Sequence, residues 1–346
     1  MKEILCREFT RRTPFAVERL PWIARMYRYP FDKWTAVGRQ GLFGAPNYLL
    51  FYLYQKLFPL KILGAFHYSI GSEKKLVRFD TKSTHFRALY SKMFSAGYEP
   101  HLSALIDVVV PAKGIFYDVG SNWGWFTLLL ASRPDFQGRI HAFEPCPPTF
   151  ADLTSVVKQA GLEDRVTCHD LALLDKAGSG SIHLPDHIHR ECAVVVADEQ
   201  ARGGMSIHTT TLDLFSGEPP DVMKVDVEGV EHQVFIGGKE LLRKQKPIVI
   251  FENHRDPANL EQTMQPILDL ESFGYQFYHV AWLRKLGQTW CLVGDDCDPN
   301  PQPKEILALV PFESSQRFLL HKTMNIFACH RDKVGMLEAC FERKQL

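Results

Sequence analysis

The chain has 346 residues, 45% of them hydrophobic, enough to bury a large core in one or two domains. Lys plus Arg and Asp plus Glu both number 40, which argues against a nucleic-acid polyanion as the main partner, because such partners call for a basic surplus. The eight cysteines include no C-x-x-C pair and read as buried free thiols of a reducing compartment. The Arg- and Glu-rich start has no apolar run of signal-peptide type, so a cytoplasmic protein is expected.

Residues 1–41 mix Arg with aromatic residues, and Pro14, Pro21 and Pro30 break any long helix. Residues 48–66 are the most apolar stretch, but Gln55, Lys56, Pro59 and Lys61 make it a poor membrane-spanning helix. It reads first as a helix packed on the core. Peripheral membrane contact through its aromatics and lysines and a dimer contact stay open. Residues 68–97 hold a strand-like piece, LVRFD, and then a helix, THFRALYSKMF. Residues 1–97 are therefore expected to be an extension, mainly helical or irregular, and residues 98–346 a second unit.

Tyr98-Glu99-Pro100 opens that unit, and His101–Val110 is an amphipathic helix. Ile115–Val119 reads as a strand buried on both faces, with Asp118 near its end. Gly120, Ser121, Asn122 and Gly124 make a small-residue turn into the apolar helix Trp123–Ala131. Glycine there lets the backbone pass close to a ligand. The spacing is not the G-x-G-x-x-G of dinucleotide sites, which counts against an NAD-dependent oxidoreductase. Asp118 would repel a pyrophosphate but suits a cationic, amine-bearing ligand. Arg139–Phe143 is a second strand, and Glu144 follows it, 20 residues after Gly124, where an acid binds both hydroxyls of a ribose.

Pro147–Ala160 reads as a helix ended by Gly161, and Arg165–Asp170 as a third strand. Residues 176–208 contain a short edge strand and a polar insertion at 185–204. Its His183, Asp186, His187, His189 and Cys192 match no standard structural zinc spacing, so a surface loop or substrate lid is expected. Asp221–Asp226 is a fourth strand that carries Asp226 and Glu228 to its C-terminal end, and a helix bearing Glu231 follows. Pro247–Glu252 is a fifth strand ending in Glu252, Asn253 and His254. Pro257–Phe273 is a helix, Tyr275–Val280 a strand, 282–320 mixed, Thr323–His330 a last strand, and a closing helix runs to about residue 343. Seven strands alternating with helices give a doubly wound, mostly parallel α/β sheet of Rossmann type.

DVGSNWGWFTLLLA (118–131), HAFEPCPPTF (141–150), TTTLDLF (209–215) and KVDVEGVEHQVFIGG (224–238) together resemble the class I S-adenosylmethionine-dependent methyltransferases, and more narrowly the FkbM family. The resemblance implies S-adenosylmethionine as cofactor, held by Asp118, Gly120, Ser121, Asn122, Gly124 and Glu144. It also makes Asp170 a candidate for the adenine amino group, against a solvated strand-end acid. For Glu99 it suggests closure over the cofactor, against a carboxylate at a helix N-terminus.

Methyl transfer from a sulfonium is an in-line displacement, and an alcohol acceptor also needs a base beside it. Asp226, Glu228 and His254 are the catalytic candidates. Glu231 reads as a helix cap or a partner of Lys224. Asp226 and its neighbours could instead hold Mg²⁺, but FkbM-like proteins as a family do not require metal, so direct proton removal without a metal is preferred. The expected acceptor is a hydroxyl of a small molecule, sugar or glycan. N- or C-methylation, and a non-catalytic or membrane-associated binding protein that kept the fold, stay as alternatives.

Overall fold

The computed structural model describes residues 3–6, 12–21, 63–90, 97–183, 194–196, 204–286, 289–293 and 305–343. The 185–204 insertion, apart from 194–196 and 204, and residues 48–62 of the apolar stretch lie outside them.

The N-terminal part contributes strands β1 (Ile4–Cys6), β2 (Phe15–Arg19), β3 (Leu63–Ile70) and β4 (Glu73–Asp80), and a helical turn, α1 (Arg87–Tyr90). The expectation of a mainly helical extension does not hold for these residues. Alternation decides it: Phe66 and Tyr68 on β3 and Val77 and Phe79 on β4 face inward, at the period of two that only a strand presents. β2, β3 and β4 form an antiparallel sheet, so the end of the apolar stretch, residues 63–66, is strand and not helix.

Helix α2 (Pro100–Val109) leads into β5 (Ile115–Val119), α3 (Trp125–Ala131), β6 (Arg139–Phe143), α4 (Pro147–Ala160) and β7 (Val166–His169). A small sheet follows, made of β8 (Ala172–Leu173), β9 (Gly178–His183), β10 (Val194–Val196) and β11 (Met205–Thr210). The remaining elements are β12 (Val222–Val225), α5 (Glu231–Gly237), α6 (Lys239–Gln245), β13 (Ile248–His254), α7 (Leu260–Ser272), β14 (Tyr275–Leu286), β15 (Thr289–Val293), β16 (Glu305–Phe312), β17 (Thr323–His330) and α8 (Val334–Arg343).

The main sheet runs β1-β16-β14-β17-β13-β12-β5-β6-β7, with β15 added to β14. From β13 to β7 neighbouring strands are parallel; β17, β14, β16 and β1 are antiparallel. The class is the expected doubly wound α/β, but the sheet has ten strands and not seven. The extra strands come from the mixed 282–320 stretch and from Ile4–Cys6.

Alternation along the central strands builds two cores. Phe116, Val222 and Ile250 point to one face, under α2, α3 and α4. Tyr117, Met223 and Val249 point to the other, under α5, α6 and α7. Because β12 and β13 are buried on both faces, their polar side chains collect at the strand ends, where the cleft opens. Among the described residues no helix is long and apolar enough to cross a membrane.

Candidate active site

A cleft of about 470 Å³ opens over the carboxyl ends of β5, β6, β12 and β13. Its floor is the turn after β5. Gly120, Asn122 and Gly124 have φ of 75°, 53° and 94°, a left-handed path open to glycine and, at lower cost, to asparagine. A Cβ on Gly120 would stand 1.8 Å from the Asp226 carbonyl oxygen, so glycine lets the ends of β5 and β12 close together. The amides of Gly120 and Ser121 both donate to the Phe143 carbonyl at 3.0 Å, which knits the turn to β6.

Glu144 lines this cleft and is only 8% exposed. Its Oε1 accepts from the Cys146 amide at 2.9 Å and its Oε2 from the Asn122 amide at 3.0 Å. Each carboxylate oxygen keeps a second lone pair for a ligand hydroxyl. Burial pushes its pKa up to about 7, against the pull of those two amides. Leu171, Ala172, Leu173 and Leu174 form an apolar edge beyond it.

Of the proposed cofactor residues, Gly120, Ser121, Asn122 and Glu144 line the cleft. Asp118 is fully buried beneath it, where Oδ2 accepts from the Thr127 amide at 3.1 Å and hydroxyl at 2.7 Å. Its place is therefore under the turn, not on the wall facing a ligand amine. Gly124 also stays off the wall: a Cβ there would meet Leu153, so its role is to let α3 pack on α4. Asp170, just past the end of β7, is exposed and outside the lining, whereas Leu171 directly after it lines the cleft.

Asp226, Glu228 and His254 all line the cleft. Lys224, 3% exposed, places Nζ 2.9 Å from Asp226 Oδ2 and 5.0 Å from the centre of the Phe126 ring. Burial opposes its charge, but Asp226, then Asp118 and Glu99, outweigh that and hold the ammonium protonated. Glu228 sits at φ 56° just before Gly229 at 101°. His254 Nδ1 lies 2.9 Å from Thr323 Oγ1, its pair across β17. Glu231 is buried and accepts from the Val227 and Gly229 amides at 3.3 and 3.2 Å, so it braces the turn that presents Glu228.

Glu99 stands at the N-terminus of α2 with φ 41° and makes no capping bond there. Its side chain lines the cleft and accepts from Asn325 Nδ2 at 3.4 Å. Among the described residues, three of the four non-glycine residues with positive φ, Glu99, Asn122 and Glu228, thus border this one cleft, and backbone strain of that kind gathers at functional sites.

Sequence reasoning missed Glu252, which lines the cleft beside Asp226. Burial, then the carboxylates of Asp226, Glu99 and Glu228, push its pKa up to about 9. The signal was present: Glu252 lies on β13 one step beyond the Val225–Phe251 pair, level with Asp226. It also missed His85 and Arg87, which bring the N-terminal part onto the wall. Among the described residues no group of three or more His, Cys, Asp and Glu is gathered for a metal ion.

Residues 118–277 match the family model described as the methyltransferase FkbM domain. No curated protein sequence matches the chain. Among solved structures, the chain is similar to a methyltransferase FkbM from Methylobacillus flagellatus KT, at 15% identity and a TM-score of 0.36, over 57% of this chain and 44% of that one. This chain thus spans less than half the length of that relative. A precorrin-6y C5,15-methyltransferase from Geobacter metallireducens GS-15 is matched at 12% identity and 0.35, over 68% of this chain and 90% of that one. A SAM-dependent O-methyltransferase from Thermotoga maritima is matched at 11% and 0.34, over 71% and 78%. Likenesses this partial carry no argument; the stretch that matches the family model takes in Asp118, the glycine turn, Glu144 and the acids at the ends of β12 and β13.

Proposed function

We propose that the chain is an S-adenosylmethionine-dependent methyltransferase that methylates a hydroxyl of a small molecule, sugar or glycan. The observation that carries this reading is Glu144, a carboxylate fixed by two backbone amides with one open lone pair on each oxygen. That is the acceptor pair a ribose diol needs, and the apolar edge Leu171–Leu174 beside it suits an aromatic base. A cleft of about 470 Å³ is of the size that takes an adenosyl ligand together with part of an acceptor. The residues present therefore fit the cofactor.

The cofactor, when bound, supplies an electrophilic methyl carbon on a sulfonium. The chain's own residues then have three tasks. Glu144 holds the ribose, and Leu171–Leu174 keep water from the ring. Asp226, bonded to the Lys224 ammonium, and Glu228 and His254 accept from polar groups of the acceptor molecule that flank the reacting hydroxyl. Together these contacts set the attacking oxygen along the line of transfer, about 3 Å from the carbon. The walls exclude water as a competing acceptor.

Calorimetry with S-adenosylmethionine, S-adenosylhomocysteine and NAD⁺ tests the reading. Micromolar binding of the two adenosyl ligands, lost in Glu144→Ala and absent for NAD⁺, is the expected result. A well-folded protein that binds neither adenosyl ligand overturns it.

A further inference from the structure

We propose that Glu252 is the group that accepts the acceptor hydroxyl's proton, and that a cation entering the cleft is what frees its carboxylate to do so. This rests on the reading of the cleft as a methyl-transfer site and names a residue that reading does not use.

The geometry comes from the sheet. β12 and β13 run parallel with Val225 beside Phe251, so Asp226 and Glu252 leave adjacent strands at the same level and enter the same cleft. Their surroundings then separate them. Lys224 Nζ binds Asp226 Oδ2 at 2.9 Å, so Asp226 has its countercharge. Glu252 has none so close. On its other flank, β17 sets Asn325 opposite it, but the Asn325 amide reaches Glu99 Oε2. The influences on its carboxyl are burial, the carboxylates of Asp226 on β12, Glu99 before α2 and Glu228 after β12, and the distant ammonium of Lys224. Three negative neighbours against one shared positive charge favour the neutral acid, and Glu252 holds a proton up to about pH 9.

A base that is protonated at rest is useful only if something removes the proton before the reaction. A positive charge placed in this cleft lowers the cost of ionising Glu252, and a sulfonium ligand brings one. In the transfer, Glu252 takes the proton as the acceptor's O–H bond breaks. The oxygen's electron pair forms the C–O bond, the S–C bond breaks, and its pair stays on sulfur. The positive charge lost at sulfur is replaced by the proton on Glu252, so the net charge of the cleft is the same before and after. A carboxylate of high proton affinity is suited to that exchange, because the proton it gains stays put once the cation has become neutral.

The test needs no acceptor. Calorimetry of S-adenosylmethionine and S-adenosylhomocysteine binding at about pH 7.5, in two buffers of different ionisation enthalpy, counts the protons released by each. The two ligands share the amino-acid end and differ in the sulfonium charge. The proposal expects the sulfonium to release more, by up to about one proton per site, and expects Glu252→Gln to bind both ligands with the difference gone. Equal release from the wild type, or an undiminished difference in Glu252→Gln, overturns it. If that variant does not fold, the wild-type comparison alone decides. Failure of both ligands to bind overturns the methyl-transfer reading, and the proposal with it.

Discussion

The Asp226 carbonyl oxygen occupies the place where a side chain on Gly120 would begin, 1.8 Å from an ideal Cβ. Gly120 also has φ 75°, so substitution is penalised twice, by the clash and by the backbone. Gly120→Ala is expected to cost more than about 1–3 kcal/mol, by parting β5 from β12, and to abolish adenosyl-ligand binding. Gly217→Ala, with nothing within 4 Å of its Cβ, is the control and should unfold like the wild type. Chemical denaturation of the three proteins checks this.

Lys224→Met keeps the length of the side chain and removes the countercharge from Asp226 and from the fully buried Asp118. A loss of about 3–5 kcal/mol is expected. Burial raises the Asp118 pKa and the ammonium opposes that, so without it Asp118 binds its proton more tightly in the folded state and the deficit should grow as pH rises. Denaturant midpoints for variant and wild type should lie closer together at about pH 5 than at about pH 8.5.

Stability of the unliganded wild type should pass through a maximum in pH. Burial raises Glu144 to about 7 and, with its acidic neighbours, Glu252 to about 9, both from an ordinary 4.5. Their contribution is full below the unfolded value and is lost as pH climbs through 7 and then 9. His169 works in the opposite sense. Burial and then His141 lower its pKa to about 4 from 6.5, so its contribution is present above 6.5 and is lost as pH falls through 4. Thermal unfolding across pH should show both limbs. Glu252→Gln should flatten the alkaline one, and His169→Phe, in a ring stack with Phe143, the acid one.

Arg317 is wholly buried and donates to Asn253 Oδ1, to the Asn253 carbonyl at 2.8 Å, to the Lys322 carbonyl at 3.1 Å and to the His321 carbonyl at 2.7 Å. It ties the end of β13, which carries Glu252 and His254, to the segment before β17. Arg317→Met removes a donor from each of these acceptors, though the Lys322 carbonyl keeps the Arg255 amide; buried acceptors left unpaired cost about 1–3 kcal/mol each, so the variant is expected to unfold at markedly lower temperature. Arg317→Lys should recover only part of the loss, because one ammonium cannot reach four acceptors set out for a planar fork.

The parallel half of the sheet was legible because each of its elements announces itself. Ile115–Val119, Arg139–Phe143 and Pro147–Ala160 are found at their expected bounds, since continuous β-branched and aromatic runs, a proline at a helix start and a glycine at its end are local signals. Glu144, Asp226 and His254 were legible for the same reason: they stand where strands end. The antiparallel additions were not. β16 reads as a polar-flanked apolar run that pairs with β14 only across a long sequence gap, and the partner that turns it into a strand cannot be seen locally. Asp118 and Asp170 mark the other limit. A motif gives the position of a residue along the chain, but burial and the last turn of backbone decide which way its side chain faces.

The Trp123 indole N–H donates to the His85 carbonyl at 3.1 Å, and the ring packs against Phe15, Phe66 and Phe86 from the N-terminal strands and turn. Trp123 belongs to the matched domain, and its three aromatic partners lie before it. The cleft is therefore held in joint ownership. A fragment cut to the domain alone would expose an indole and lose the wall that His85 and Arg87 supply. Change in the first ninety residues can reshape what the cleft admits while the strand ends beneath it stay as they are.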